Sequence, residues 1–532
     1  MSNHFIKQKI KKLRDDLNRH NYLYYILDEP EISDFEFDSL MSDLIALESQ
    51  YPEYHDPLSP TVRVGGGLIT SFQTVKHAYP MLSLSNTYSQ KELEQFDERV
   101  KKVLQQNIVD YTCELKYDGV AISLVYKNGL LERGVTRGDG VCGDDVTSNV
   151  KTIKSIPLKL FGNFPPLVEL RGEVFIEKNE FNQINLSRDN QRSILEKEYQ
   201  KNEKSKDVLE LKKLRKQFLS NMKKLEKYSN PRNFASGSLK LLDSSKVAKR
   251  NLDCVVYSIH SESLPFDNHY QNLLTAKKWG FKISEHIELK SSVDDMMRFI
   301  NSTEIDRDSL PFEIDGVVIK VNNIGDQEAL GYTAKSPRWA ISYKFKSTQV
   351  KTVLRDIVYQ IGRTGAITPV AELNPVYLAG SVIKRASLHN EDFIKKMDLK
   401  IGDTVLIEKG GDVIPKVVSV DFKKRHLSCK NVVFISNCPS CGSVLHRVLN
   451  EANYYCLNTD YCMPQKIAKV EHYISRDALN IHTLGSQTIM LLFQEKLIDN
   501  VADLYDLNID HLTNLKGFGE KSKSIKKAQN II

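Results

Sequence analysis

Hydrophobic and polar positions along the chain alternate with two different periods, and the changes of period divide it. Residues 1 to about 70 are helical: Leu13, Leu17, Tyr24 and Ile26 recur at near-helical spacing. Phe37, Leu40, Met41 and Leu44 mark the buried face of a second helix, which Asp34 could cap. From about residue 71 the texture becomes short alternating runs broken by Gly and Asn. A helix is expected over Ser89 to Leu104, and strands over Val120 to Tyr126, Val168 to Phe175, Ile314 to Lys320 and Trp339 to Phe345. Residues 189–228 interrupt this pattern with a segment dense in Lys and Glu, where Leu211, Leu214, Phe218, Met222 and Leu225 form a seam close to a heptad. That seam predicts one or two exposed helices in a projecting hairpin. Residues 348–435 return to short strands punctuated by Gly362-Arg363-Thr364-Gly365, Gly402-Asp403 and Gly410-Gly411-Asp412, and from about 466 the period is helical again.

Composition narrows the class. A chain of 532 residues exceeds a single core, so roughly three to five domains are expected. The pattern gives a multidomain α+β protein: a helical domain over 1–70, a strand-rich domain over 71–347 carrying the 189–228 insertion, a barrel over 348–435, a cysteine module over 436–465 and a helical end over 466–532. A five-strand barrel of the oligonucleotide-binding type fits the turn spacing of the third segment. No apolar run approaches the roughly 20 residues of a membrane span, and Met1 to Arg14 lacks a signal-peptide core. The protein is therefore expected to stay where it is made, away from membranes. A net charge of +6 is compatible with nucleic acid without pointing to it. For the basic hairpin a solvated face is the expectation.

Cys113, Cys142 and Cys254 are scattered, whereas Cys438, Cys441, Cys456 and Cys462 cluster. Two thiolates on one knuckle and two more within a loop match tetrahedral Zn²⁺. With the second pair so close, a redox CxxC fits less well.

Candidate chemistry centres on Glu114-Leu115-Lys116-Tyr117-Asp118-Gly119, read as strand, tight loop, strand, with Lys116 at the mouth of a pocket. A lysine held dry near other cations can attack as a free amine. Arg137 in a glycine turn, Arg171-Gly172-Glu173, Asp315, Lys320 and Lys344 also place charge in or beside strands. Such charges are costly unless paired or bound to a ligand, so they suggest one pocket lined from several strands. Near the C-terminus, Leu512 to Ser522 has the helix, G-x-G turn, helix form of a helix-hairpin-helix, with a weaker copy from Ile481 to Ile489 around Gly485.

Taken in order, these residues resemble the NAD-dependent DNA ligases: the entry from Tyr24 to Asp38, Met81 to Leu84, the Lys116 hexapeptide, Thr136 to Gly140, Arg171 to Glu173, Asn230 to Asn233, Asp315 to Lys320, Arg338 to Lys344, Gly362 to Gly365 and the four cysteines. The resemblance implies a helical NMN-binding domain, a nucleotidyltransferase (adenylation) domain, an OB-fold, a four-cysteine zinc finger and partial helix-hairpin-helix. It implies that Lys116 attacks the adenylyl phosphorus of NAD, releasing nicotinamide mononucleotide. AMP then passes to the 5′-phosphate of a DNA nick, and the 3′-hydroxyl displaces it. Lys320 and Lys344 would stand by the α-phosphate. Glu114 would read adenine, Arg137 and Glu173 would meet the ribose, and Ser83 and Leu84 would line the nucleotide site. Arg232 and Arg307 match further basic positions, while Asp118 and Asp315 would orient lysines or Mg²⁺ (or Mn²⁺). Tyr24, Asp34, Phe37 and Asp38 would close over the nicotinamide mononucleotide half. Tyr25, Phe37 and Lys240 depart from the family's usual His, Tyr and Arg.

The implied cofactors are NAD, Mg²⁺ and Zn²⁺; the implied partner is nicked double-stranded DNA, bound by a monomer in the bacterial cytoplasm, or in host cytoplasm for a virus-encoded form. The chain stops after two hairpin units with no BRCT domain, which is expected to be a natural short form. A self-adenylylating ligase that seals weakly, a non-catalytic DNA-binding module and an ATP-using relative are the alternatives. The complete pocket argues against the module, and the N-terminal helices argue against ATP.

Overall fold

The helical period at the N-terminus folds as α1 (Asn3–Tyr22) and α2 (Asp34–Gln50). They bury Ile6, Ile10, Leu13 and Leu17 against Leu44, with Phe37, Leu40 and Met41 packed alongside. Ser33, rather than Asp34, caps α2. Its backbone is extended and its hydroxyl accepts from the Glu36 N–H, while the Glu36 side chain accepts from the Ser33 N–H, closing a capping box. Asp34 is the first residue inside the helix. The computed structural model describes residues 3–24, 29, 31–54, 56–61, 71–203, 208–345, 349–378, 381–410, 414–448, 451–475, 478–479, 481 and 484–508. Two units result, Met1–Lys346 and Ser347–Ile532.

After α2 the first unit continues with β1 (Ser85–Thr87), α3 (Gln90–Leu104, capped by Ser89), β2 (Tyr111–Tyr117), β3 (Val120–Lys127), β4 (Leu130–Thr136) and β5 (Leu167–Phe175). Helices α4 (Lys178–Glu203), α5 (Val208–Lys224) and α6 (Pro231–Leu239) follow, then β6 (Asp253–His260), α7 (His269–Lys278) and β7 (Ile287–Lys290). The unit ends with α8 (Val293–Asp306), β8 (Ile314–Val321), α9 (Ile324–Leu330) and β9 (Ala340–Lys344).

These strands form two sheets, in the orders β1-β9-β8-β2-β7 and β4-β3-β5-β6. In the first sheet alternation sends Cys113, Leu115, Val317, Ile319, Val321 and Ile341 to a core shared with α3 and α8. The opposite face carries Thr112, Glu114 and Lys116. The second sheet buries Ile122, Leu124, Leu170, Val174 and Val256 with Phe234, Leu273 and Trp279. The tight turn between β2 and β3 links the two sheets at Asp118-Gly119. There a Cβ on Gly119 would lie 2.3 Å from the Val174 carbonyl oxygen and 2.9 Å from Glu173 Cγ, so only glycine lets β5 approach.

The Lys/Glu-rich segment is a helical hairpin, as its seam predicts, but its first helix starts well before 189, at Lys178. Tyr199 stacks on Phe218 at 4.2 Å between the helices, and Arg188 lies 4.3 Å over the Tyr228 ring at the base.

In the second unit β10 (Val350–Ile361), β11 (Ala366–Leu378), β12 (Ser381–Ser387), β13 (Thr404–Gly410) and β14 (Ile414–Val420) run in the order β10-β13-β14-β12-β11, and the β10–β11 pairing closes a five-stranded barrel. Leu354, Leu373, Ile383, Val405, Ile407 and Val417 fill it. A short hairpin of β15 (Leu445–His446) and β16 (Tyr454–Cys456) adds to β11 at Ala366 and Ile367. Gly365 has φ +83°, and a Cβ there would lie 2.2 Å from the Cys456 carbonyl oxygen, so this glycine docks the cysteine module on the barrel. Helices α10 (Met463–Ile474) and α11 (Ser486–Gln494) pack through Val470, Ile474, Ile489, Leu492 and Phe493, with Gly485 at the start of α11. The glycine turn expected at Leu512 to Ser522 lies outside the described residues. No described helix is long and apolar enough to cross a membrane.

Candidate active site and four-cysteine centre

Lys116 ends the polar row of β2. Its Nζ lies 2.7 and 2.8 Å from the two carboxylate oxygens of Asp315. Strict alternation would put Asp315 on the apolar side of β8 with Val317 and Ile319. A β-bulge between Ile314 and Gly316 reverses the parity and turns its carboxylate to Lys116. Lys344, opposite Gly316 on β9, reaches the same carboxylate at 3.2 Å. Asp118 pairs with Arg232 on α6 at 2.5 Å. Glu173 arrives from the second sheet through the space Gly119 leaves. Burial holds its carboxyl up at about 7, against the pull of Lys116 and Arg232 and with the support of the Asp118 and Asp315 charges. The site thus gathers an amine, three carboxylates and two further cations from two sheets and a helix.

Two residues back on the same face, Glu114 is buried. Its Oε1 lies 2.8 Å from His269 Nε2 and its Oε2 accepts from Lys320 Nζ at 2.8 Å. Lys320 also donates to the Tyr257 carbonyl at 2.6 Å. Burial opposes ionisation of Glu114, but Lys320 and His269 outweigh it and bring the carboxyl down to about 2. Lys320 and Lys344, both expected near the α-phosphate, have different partners: Lys344 shares Asp315 with Lys116, and Lys320 pairs with Glu114. Strand register explains the difference, since Lys320 stands opposite Thr112 and Lys344 opposite Gly316.

Other expected residues spread further. Arg137 is exposed in its glycine turn, and its carbonyl oxygen lies 3.2 Å from His77 Nε2. Ser83 and Leu84 lead into β1, just after Met81, whose N–H donates to the Gly140 carbonyl. Arg307 lies 5.7 Å over the Phe345 ring, beside Lys344. Lys240 pairs with Asp144 at 2.8 Å. In the N-terminal helices Tyr24 and Asp38 are exposed, and Phe37 packs in the helical core. Tyr25 and the Asp34 side chain lie outside the described residues. His269 and Tyr257 belong to the site, although the sequence pattern does not single them out. The signal available for Tyr257 is its place in an alternating strand. His269 has only a helix start after Asn268, which carries no hint of a carboxylate.

In the second unit the sulfurs of Cys438, Cys441, Cys456 and Cys462 all lie within 4.8 Å of one another. The Cys438–Cys462 and Cys441–Cys456 separations are 3.9 and 3.5 Å. Tetrahedral zinc with bonds of about 2.3 Å spaces its thiolates by about 3.8 Å, so this set fits the metal.

Sequence comparison supplies the family. The model of the NAD-dependent DNA ligase adenylation domain matches residues 69–205 and 206–348. The DNA ligase-like N-terminal NAD+-binding domain matches 3–65, the NAD-dependent DNA ligase OB-fold domain 351–428, and the C4 zinc finger domain 437–463. A DNA ligase of Flavobacterium psychrophilum is 48% identical over 527 residues, which are 99% of this chain and 74% of that protein. One of Christiangramia forsetii is also 48% identical, over the same shares. The chain belongs to the NAD-dependent DNA ligases. In this ligase the barrel is the OB-fold, the four cysteines are the zinc ligands, and NAD is the nucleotide served by the N-terminal and adenylation domains. The helical hairpin falls inside the adenylation-domain match.

Proposed function

We propose that this chain seals nicks in duplex DNA, with Lys116 as the nucleophile that takes AMP from NAD. The observation that carries the reading is the Lys116 Nζ held 2.7 Å from Asp315 within a cluster that also holds Glu173, Lys344, Asp118 and Arg232. In-line transfer at phosphorus needs positioning and charge neutralisation more than covalent machinery. Asp315 orients the attacking nitrogen and is placed to take its proton. The nitrogen bonds the α-phosphorus as the bond to the nicotinamide mononucleotide phosphate breaks, leaving lysyl-AMP. Lys344 and Arg232 face the non-bridging oxygens. AMP then moves to the 5′-phosphate of the nick, and the 3′-hydroxyl displaces it.

Glu114 reads adenine, with Lys320 paired to it. Arg137 and Glu173 meet the ribose, Ser83 and Leu84 line the nucleotide, and Arg307 adds positive charge at the phosphates. Tyr24, Asp34, Phe37 and Asp38 serve the nicotinamide mononucleotide half. A divalent ion, Mg²⁺ or Mn²⁺, would be held by carboxylates such as Asp118 and Asp315 and would neutralise phosphate charge.

The domains run 1–70, 71–347, 348–435, 436–465 and 466–532. In the last, the sequence from Leu512 to Ser522 resembles a helix-hairpin-helix, a motif whose backbone N–H groups would hold a DNA phosphate. The ligase acts as a monomer in the cytoplasm. A nicked-duplex assay tests the reading: sealing with NAD and none with ATP is expected, and sealing with ATP alone would overturn it. Elemental analysis should find about one zinc per chain, abolished in Cys456→Ser.

A further inference from the structure

The geometry points to His269 as a positioning residue for base recognition, one that aims the Glu114 carboxylate and makes the site specific for a 6-amino purine. This rests on Glu114 reading the base, as proposed above. His269 opens α7 after the cap Asn268. Its backbone N–H donates to the Asn322 carbonyl at 2.7 Å, and the next N–H, of Tyr270, donates to Asn322 Oδ1 at 3.0 Å. Asn322 directly follows β8, the strand that carries Lys320. The imidazole and the ammonium that flank Glu114 are thus fixed to the same strand end.

The ring is buried with Nε2 2.8 Å from Glu114 Oε1 and 3.2 Å from Lys320 Nζ. Burial, then the Lys320 charge, lower the His269 pKa against the opposing pull of Glu114. An ionised Glu114 only accepts, so Nε2 carries the ring proton and donates it. Thr112 Oγ1 adds a donor to Oε1 at 3.3 Å, and Lys320 occupies Oε2 at 2.8 Å. Each oxygen is therefore held by a donor, and the carboxylate cannot rotate without breaking a buried hydrogen bond. Its remaining lone pairs keep one direction.

A fixed carboxylate accepts from the exocyclic amine of adenine. Hypoxanthine presents an oxo group at that position, which a carboxylate repels. A site built to accept a particular donor rejects the analogue that lacks it by large factors. Loss of the imidazole would free Glu114 to turn or to take water, and the rejection would weaken.

The test compares NAD with nicotinamide hypoxanthine dinucleotide, measuring kcat/KM for formation of the covalent nucleotidyl adduct by mass shift. The full chain is expected to prefer NAD by about 100-fold or more. His269→Leu, similar in bulk but with no donor, should cut that ratio at least about tenfold. His269→Gln, whose amide reaches about as far as Nε2, should keep it within about threefold of the parent. His269→Asn, with a shorter reach, should behave like the Leu variant and keeps the test decisive if that variant does not fold. Equal loss of both substrates in His269→Leu or His269→Asn, with the ratio intact, would overturn the inference, as would a His269→Gln ratio as low as theirs. Glu114→Gln separates the two ideas. An unchanged ratio there would remove the reading of Glu114 itself, whereas a collapsed ratio beside intact His269 ratios would remove only the role of His269.

Discussion

The two ends of one strand face hold their charges in opposite ways. At Glu114 the carboxylate, the Lys320 ammonium and the His269 ring are all buried, and each carboxylate oxygen has a donor. At Lys116, only two residues further, the groups are partly exposed and shared: one Asp315 carboxylate serves two lysines, and Asp118 holds Arg232 at the rim. Buried pairs are expensive to break, and partly exposed shared ones are cheaper to exchange. A base must be recognised by groups that do not move. A phosphate must displace the carboxylates that hold the cations before it arrives. The difference fits the roles proposed for them, reading at the Glu114 end and chemistry at the Lys116 end.

The contrast can be broken most sharply by stability. Lys320→Met leaves a buried carboxylate uncompensated and should cost about 3–5 kcal/mol by urea unfolding. The same end has an acid signature. Glu114 is drawn from the ordinary 4.5 down to about 2, so its contribution is full above about 4.5 and is lost as pH falls through about 2. Glu114→Gln should flatten that limb. If Lys320→Met unfolded at the parental urea concentration, the buried end would not be the rigid one.

The next largest effect belongs to the other end. Asp315→Asn should slow adduct formation from NAD by about 100-fold or more while shifting the unfolding midpoint little, because it removes the group proposed to take the Lys116 proton. A smaller effect follows from Glu173, whose carboxyl is raised to about 7 and is mostly protonated below that pH. If its charged form acts, adduct formation falls by up to about tenfold per pH unit below 7, and Glu173→Gln removes the limb. Raising this pKa also means that ionisation costs stability as pH climbs from about 4.5 to about 7, so Glu173→Gln should gain most over the parent above pH 7. Arg232→Met should change stability least, by about 1 kcal/mol or less, because its partner Asp118 and its own guanidinium are both partly exposed.

Much of this contrast was legible in the sequence, for physical reasons that can be named. Alternation places Glu114 and Lys116 on one face of a strand, and charge in a strand asks for partners. The hairpin seam and the spacing of the four cysteines also follow from periodicity and ligand geometry. What the sequence hid depends on local irregularity and on distant register. A bulge at Ile314/Gly316 turns Asp315 to the polar face against its parity. Pairing of Lys320 with Thr112 and of Lys344 with Gly316 gives different partners to two lysines that look equivalent in a motif. His269 reaches Glu114 from a helix start 155 residues away, where no pattern marks it. The cap of α2 falls one residue earlier than expected because Ser33 and Asp34 are both good caps, and only the reciprocal bond from Glu36 chooses Ser33.

Covalent labelling tests Lys116 as the nucleophile. The protein is incubated with NAD labelled in its adenylate together with Mg²⁺, and the bound label is measured for the parent and for Lys116→Ala. A labelled parent and an unlabelled variant are expected. Equal label on both proteins would contradict that role, since the nucleophile would then lie elsewhere.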